Sequence, residues 1–123
     1  MPANRPFTDS ERRVWNRAIR QDGPDLREGD RALGALLHVD GYIQNGGVGH
    51  AFDLPPAELA EGIKGYEYFG LHEMAEVIKP HRGEEEREVD RSYYRFTRGE
   101  CQIIKKFQQM LQEHPERFAP LGK

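Results

Sequence analysis

Leu33, Leu36, Leu37, Val39 and Ile43 recur at helical spacing, and the run stops on Asn45-Gly46-Gly47. Five branched side chains on one helical face must be covered by other elements, so this segment constrains everything around it. Glycine reaches positive φ without a Cβ clash and ends helices at the C′ position. Asn45 tolerates the left-handed region too, and its side chain readily bonds nearby backbone. Two readings stay open. One is a C-cap with a tight turn; the other is an Asn45 that pins the following segment into a partner-facing surface.

Upstream, residues 1–7 hold two prolines and little pattern, which predicts a loose arm ending at Phe7. Thr8-Asp9-Ser10-Glu11 reads as a capping box opening a helix that runs to about Gln21 and is stopped by Asp22-Gly23-Pro24. Val14, Trp15, Ala18 and Ile19 form its apolar stripe, with Arg12, Arg13, Arg17 and Arg20 on the remaining surface. The central helix starts at a second box, Asp25-Leu26-Arg27-Glu28, or at Asp30. Gly34 and Gly41 each weaken it by ~1 kcal/mol relative to Ala, which points to close approach by another helix.

Downstream, a single turn over 48–52 buries Phe52. Pro55-Pro56 opens a helix over 56–69 with Leu59, Ile63 and Tyr66 on one face. Gly70 separates it from a helix over 71–79 carrying Leu71, Met74, Ala75 and Ile78, which Pro80 ends. From Gly99 a further stripe runs through Ile103, Ile104, Phe107, Met110 and Leu111, with Lys105 and Lys106 facing away, and His114-Pro115 closes it. Phe118 and Leu121 fold back on the core. No segment alternates as a strand, so the expectation is all-α: one compact domain over 8–123 with five or six helices.

At 123 residues the chain is long enough for one core. A single cysteine, Cys101, rules out an intramolecular disulfide. No apolar run approaches the ~20 residues of a membrane span, and residues 1–5 lack a signal-peptide core, so a cytoplasmic setting is expected. The net charge is only −3, but it is uneven. Residues 53–90 hold eleven Asp or Glu against four Lys or Arg, whereas 91–123 hold seven basic against three acidic. Such asymmetry orients partners or covers a solvated helix face.

Candidate chemistry is sparse. His72 and Glu76 lie four apart on a helix, and with His50 they are weak candidates for a metal site or a small hydrolase. No local signature turns Cys101 with His38, His50 or His114 into a nucleophile pair. No cofactor motif is present. Arg91, Arg95 and Arg98 alternate with Tyr93, Tyr94 and Phe96, a mixture seen on nucleic-acid surfaces. The tract is short and the net charge negative, so direct nucleic-acid binding is disfavoured.

Three pieces carry a resemblance. Asn45-Gly46-Gly47 follows an apolar helix and precedes Phe52; Gly70-Leu71-His72-Glu73-Met74-Ala75 follows; then Asp90 and Tyr94 precede His114-Pro115-Glu116-Arg117-Phe118. Over residues 30–118 the chain resembles a small bacterial all-helical family of unknown function whose best-known member is a dimeric DNA mimic. The resemblance implies a non-catalytic helical protein that binds another protein, such as a DNA-binding regulator, and pairs as a homodimer. The acids available for such mimicry are Glu84, Glu85, Glu86, Glu88 and Asp90, with Glu58, Glu61, Glu73 and Glu76. Where the family tends to carry an aromatic after the triplet, this chain has Val48. An immunity-type partner of a toxin is a further class to which such a chain could belong.

Overall fold

The computed structural model describes residues 6–21, 25–79 and 101–121. The fold is all-α, with no strand among the described residues. The order is α1 (Asp9–Arg20), α2 (Glu28–Gly46), α3 (Val48–Ala51), α4 (Pro56–Tyr68), α5 (His72–Val77), α6 (Cys101–Glu113) and a 3₁₀ turn (Pro115–Arg117). The Asp22-Gly23-Pro24 stop, Pro80, the acids Glu84 to Asp90 and the Arg91–Arg98 aromatic tract lie outside the described residues.

Local chemistry accounts for the start of α1. The Glu11 amide donates to the Thr8 hydroxyl at 3.1 Å, and the Thr8 amide donates to Glu11 Oε1 at 2.9 Å. This is the expected reciprocal cap. Glu11 is nonetheless buried, and Gln108 Nε2 reaches it at 3.4 Å from α6. The helix ends on Gln21, whose φ of 51° puts a non-glycine residue in the left-handed region. Its side-chain amide donates to the carbonyls of Ala18 and Asp30, which offsets that cost. Val14, Trp15 and Ala18 are buried as expected, but Ile19 is 56% exposed. Ile19 lies at the edge of the stripe and lines a surface groove rather than the core. Phe7 is no free arm end: its ring lies 5.2 Å from Trp15 and 5.8 Å from Phe107.

Helix α2 is the central element, packed by α1, α3 and α4. Leu33, Leu36, Val39 and Ile43 are fully buried and Leu37 nearly so, each contributing roughly 1.5–3 kcal/mol over exposure. It begins at Glu28, and Asp30 rather than an upstream acid supplies the side chain at its start, accepting the Arg27 amide at 3.0 Å. The close approach inferred for Gly34 is real, because a Cβ there would lie 2.5 Å from the Ala18 carbonyl oxygen. Gly41 has no such neighbour. A second close seam involves two glycines of α4. A Cβ on Gly65 of α4 would meet the Ala32 carbonyl oxygen at 2.4 Å, and one on Gly62 would meet Val39 at 2.2 Å. These two positions, one turn apart, let α4 lie directly on the α2 backbone.

The remaining boundaries follow the sequence closely. Gly70, at φ +76°, separates α4 from α5, and Leu71, Met74, Ala75 and Ile78 are all buried. On α6, Ile103 and Phe107 are buried, while Ile104, Met110 and Leu111 pack at the core margin. Lys105 is exposed and Lys106 half-buried. The chain then folds back, with Phe118 2% exposed against Phe107 and Phe69.

A polar clasp closes the domain. The Asp30 side chain is fully enclosed and accepts three hydrogen bonds: from Arg17 Nη2 at 2.8 Å, the Arg27 amide at 3.0 Å and the Ala119 amide at 2.7 Å. Arg17 also donates to the Ala119 carbonyl at 2.9 Å, and Arg27 to the Glu116 carbonyl at 2.9 Å. Arg17 is therefore not a surface cation; it joins α1, the start of α2 and the returning tail.

Candidate functional site

The Asn45-Gly46-Gly47 triplet is explained by backbone and packing. Gly47 has φ +85°, and its amide donates to the Ile43 carbonyl at 2.7 Å. A Cβ on Gly46 would lie 2.8 Å from the His50 ring. The pair of glycines thus lets α3 fold back along the end of α2, which is the C-cap reading. Asn45 is exposed in the last turn of α2 and lines a groove.

That groove has a volume of about 810 Å³. It is lined by Ile19 of α1, by Leu37, Asp40 and Gly41 of α2, and by His50 of α3. Asp40 is 1% exposed, and Gln44 Nε2 donates to its carboxylate at 3.3 Å. On one wall the Tyr42 ring sits between two imidazoles, 5.3 Å from His38 and 4.9 Å from His50. His50 Nδ1 lies 2.9 Å from the Tyr42 carbonyl, so this nitrogen carries the proton and donates. His38 Nε2 lies 2.8 Å from Glu58 Oε1 and ties α2 to α4. The groove was not legible as a site, although a mid-helix glycine without a neighbour and an aspartate within an apolar run are its traces in the sequence.

A second concavity, about 340 Å³, is apolar and lined by Phe52, Leu54, Pro56, Leu59, Ala60 and Ile63. Here the expected burial of Phe52 is overturned: it is 39% exposed, and Ala51 and Leu54 fill the core in its place. The one-turn α3 buries Ala51, and the chain faces the core again at Leu54, which leaves Phe52 between them on the surface.

The metal candidates do not converge. His72 and Glu76 are exposed on α5, and Glu76 receives Lys79 at 2.8 Å. His50 is occupied with Tyr42, and among the described residues no three His, Cys, Asp or Glu gather as a metal site. Of the histidines considered beside Cys101, His38 pairs with Glu58 and His114 lies 3.5 Å from Glu116; the Cys101 side chain lies outside the described set. Glu58, Glu61, Glu73 and Glu76 are all exposed, with Glu61 3.6 Å from Lys64. Glu84, Glu85, Glu86, Glu88 and Asp90 fall outside the described residues.

A smaller concavity, about 250 Å³, lies beside Tyr68 between the end of α4 and α6. The Tyr68 hydroxyl is enclosed. Burial, then the nearby Glu28 carboxylate, push its pKa from 10.0 up to about 12, against the opposing pull of Arg117, whose guanidinium lies 5.6 Å over the ring. The native state therefore keeps a proton that the unfolded chain releases, and its contribution is lost as pH rises from 10.0 through about 12. In an alkaline titration followed by phenolate absorbance, Tyr68 should contribute to a late component, and Tyr68→Phe should reduce that component by one tyrosine. A late component of unchanged size in the variant would assign it elsewhere.

No helix among the described residues is long and apolar enough to cross a membrane. Set against known proteins, the chain matches no family model, no curated protein and no solved structure.

Proposed function

We propose that the protein acts by binding another protein rather than by catalysis. The observation that carries this reading is the exposed Phe52 beside an apolar groove, since large aromatics left at a concave surface are typical interface anchors. The exposed carboxylates Glu58, Glu61, Glu73 and Glu76 add an acidic character to α4 and α5. In the finer version the partner is a DNA-binding regulator and the acids at 84–90 stand in for phosphates. Matched charge supplies much of the affinity for such a surface. On this reading the protein works in a bacterial cytoplasm and pairs with a second copy.

The test is capture of partners from host lysate at low and high salt, followed by affinity measurement on the captured protein. Converting Glu84, Glu85 and Glu86 to Lys should weaken a regulator by about tenfold or more at low salt, with the melting temperature unchanged. Unchanged affinity sinks the mimic version. A partner that stays bound at high salt favours the apolar surface at Phe52 and an immunity-type role.

A further inference from the structure

We propose that the Asp30 clasp is a receptor for an extended C-terminal segment, and that a second copy of this chain supplies the same segment in trans, giving a dimer that exchanges residues 115–121. It shares with the reading above only the second copy. Loss of regulator binding does not bear on it, and its failure does not bear on regulator binding.

The receptor is built without the tail. Asp30 is fully enclosed, and Arg17 Nη2 and the Arg27 amide hold its carboxylate at 2.8 Å and 3.0 Å. These three residues belong to α1 and the start of α2, so carboxylate and guanidinium are aligned by residues 17–30 alone. Gly29 leaves a notch beside them. A Cβ there would lie 2.6 Å from the Arg117 carbonyl oxygen and 3.0 Å from the Phe118 ring. The apolar end of the receptor is the space beside Phe107 and Phe69, whose ring centres lie 5.9 Å and 6.4 Å from that of Phe118.

What this receptor engages is main chain and one ring. The Ala119 amide donates to Asp30 at 2.7 Å. Arg17 donates to the Ala119 and Pro120 carbonyls at 2.9 Å and 3.4 Å, and Arg27 to the Glu116 carbonyl at 2.9 Å. Phe118, buried, fixes the register. Extended peptides are bound in this manner, with main-chain bonds supplying affinity and a pocket supplying register.

The tail is also a separable piece. α6 ends at Glu113, and His114-Pro115 turn the chain before the tail crosses α1 and α2. A residue that precedes proline is biased towards extended backbone, so this hinge suits an opened chain as well as a closed one. Opening there gives up the bond from the Arg117 amide to the His114 carbonyl, 3.0 Å, and rebuilds the contacts beyond the hinge on the other copy. Closed monomer and exchanged dimer then hold the same clasp. The balance between them is set by protein concentration against the effective concentration that the short hinge gives the chain's own tail.

The experiment uses the full chain. Equal parts of isotope-labelled and unlabelled protein are unfolded in urea, refolded together at about 1 mM and separated by size. The dimer fraction should show intermolecular NOEs between Phe118 and Phe107, and refolding at about 10 μM should lower that fraction at least tenfold. Deleting His114 and Pro115 keeps the tail from turning back onto its own body, and should make the dimer the main form at about 10 μM. If the shortened chain does not fold, the mixed refolding decides alone. Absence of a dimer at about 1 mM, a dimer whose Phe118–Phe107 contacts all lie within one chain, a dimer fraction that ignores the refolding concentration, or a folded but monomeric shortened chain overturns the proposal.

Discussion

Replacing Asp30 with Ala should cost about 3–5 kcal/mol, the range for breaking a buried ion pair from one side. Arg17 is left as an uncompensated charge, and its Nε already lies buried without a hydrogen-bond partner. Two amides, those of Arg27 and Ala119, lose their acceptor at the same time. A domain of this size has roughly 5–15 kcal/mol in total, so urea unfolding should show a midpoint displaced by a large fraction of its value. Removing both charges together, as Arg17→Met with Asp30→Leu, should recover only part of the loss. The apolar pair removes the stranded guanidinium, but each orphaned backbone N–H still costs about 1–3 kcal/mol. Full recovery by the double variant would mean that the ion pair, and not the backbone clasp, is what matters. A single-variant loss below about 1 kcal/mol would mean that water replaces the carboxylate there.

Phe107→Ala is the second large effect, at about 3–5 kcal/mol. Phe107 is fully buried and is the ring on which three others converge. Trp15 lies 5.3 Å away, Phe7 5.8 Å and Phe118 5.9 Å, all in edge or near-edge contact with it. Removing it opens a void between α1, α6 and the returning tail, and none of those rings can close it without leaving its own contacts. Trp15 is the sole tryptophan, so its emission reports the site directly and should shift to the red in the folded variant. Phe107→Leu, which keeps most of the volume, should cost less than half as much. Equal losses for Ala and Leu would indicate that ring geometry outweighs the filled volume.

The contrast between these two residues marks what a single sequence can and cannot convey. Phe107 sits in an apolar stripe of period 3.6, and its burial could be read from that period alone. The same logic covers Leu33 to Ile43 and Leu71 to Ile78, and the Thr8–Glu11 spacing marks the capping box. Asp30 gave no such signal, because its value lies in donors that arrive from residues 17, 27 and 119. Periodicity names a face but not the neighbour that covers it. That is why Ile19 and Phe52 were assigned inward, and why Gly62 and Gly65 passed unremarked although they set how closely α4 approaches α2. The groove was illegible for the same reason. Its walls come from α1, α2 and α3, and only the fold brings Ile19 and His50 to one concavity.

The clasp at Asp30 also bears on the order in which the domain assembles. Its carboxylate and the Ala119 amide are 89 residues apart, whereas α2, α3 and α4 meet across short connections. Closing a long loop is entropically late work, so the helical centre is expected to form while the side of Asp30 that meets Ala119 is still open to water. The aspartate must then shed that hydration as the tail swings in. Until it does, the N-terminal end of α2 and the face beneath Phe118 stay open to solvent. The species exposed to proteases and to self-association during folding is thus a nearly complete helical core lacking its final latch.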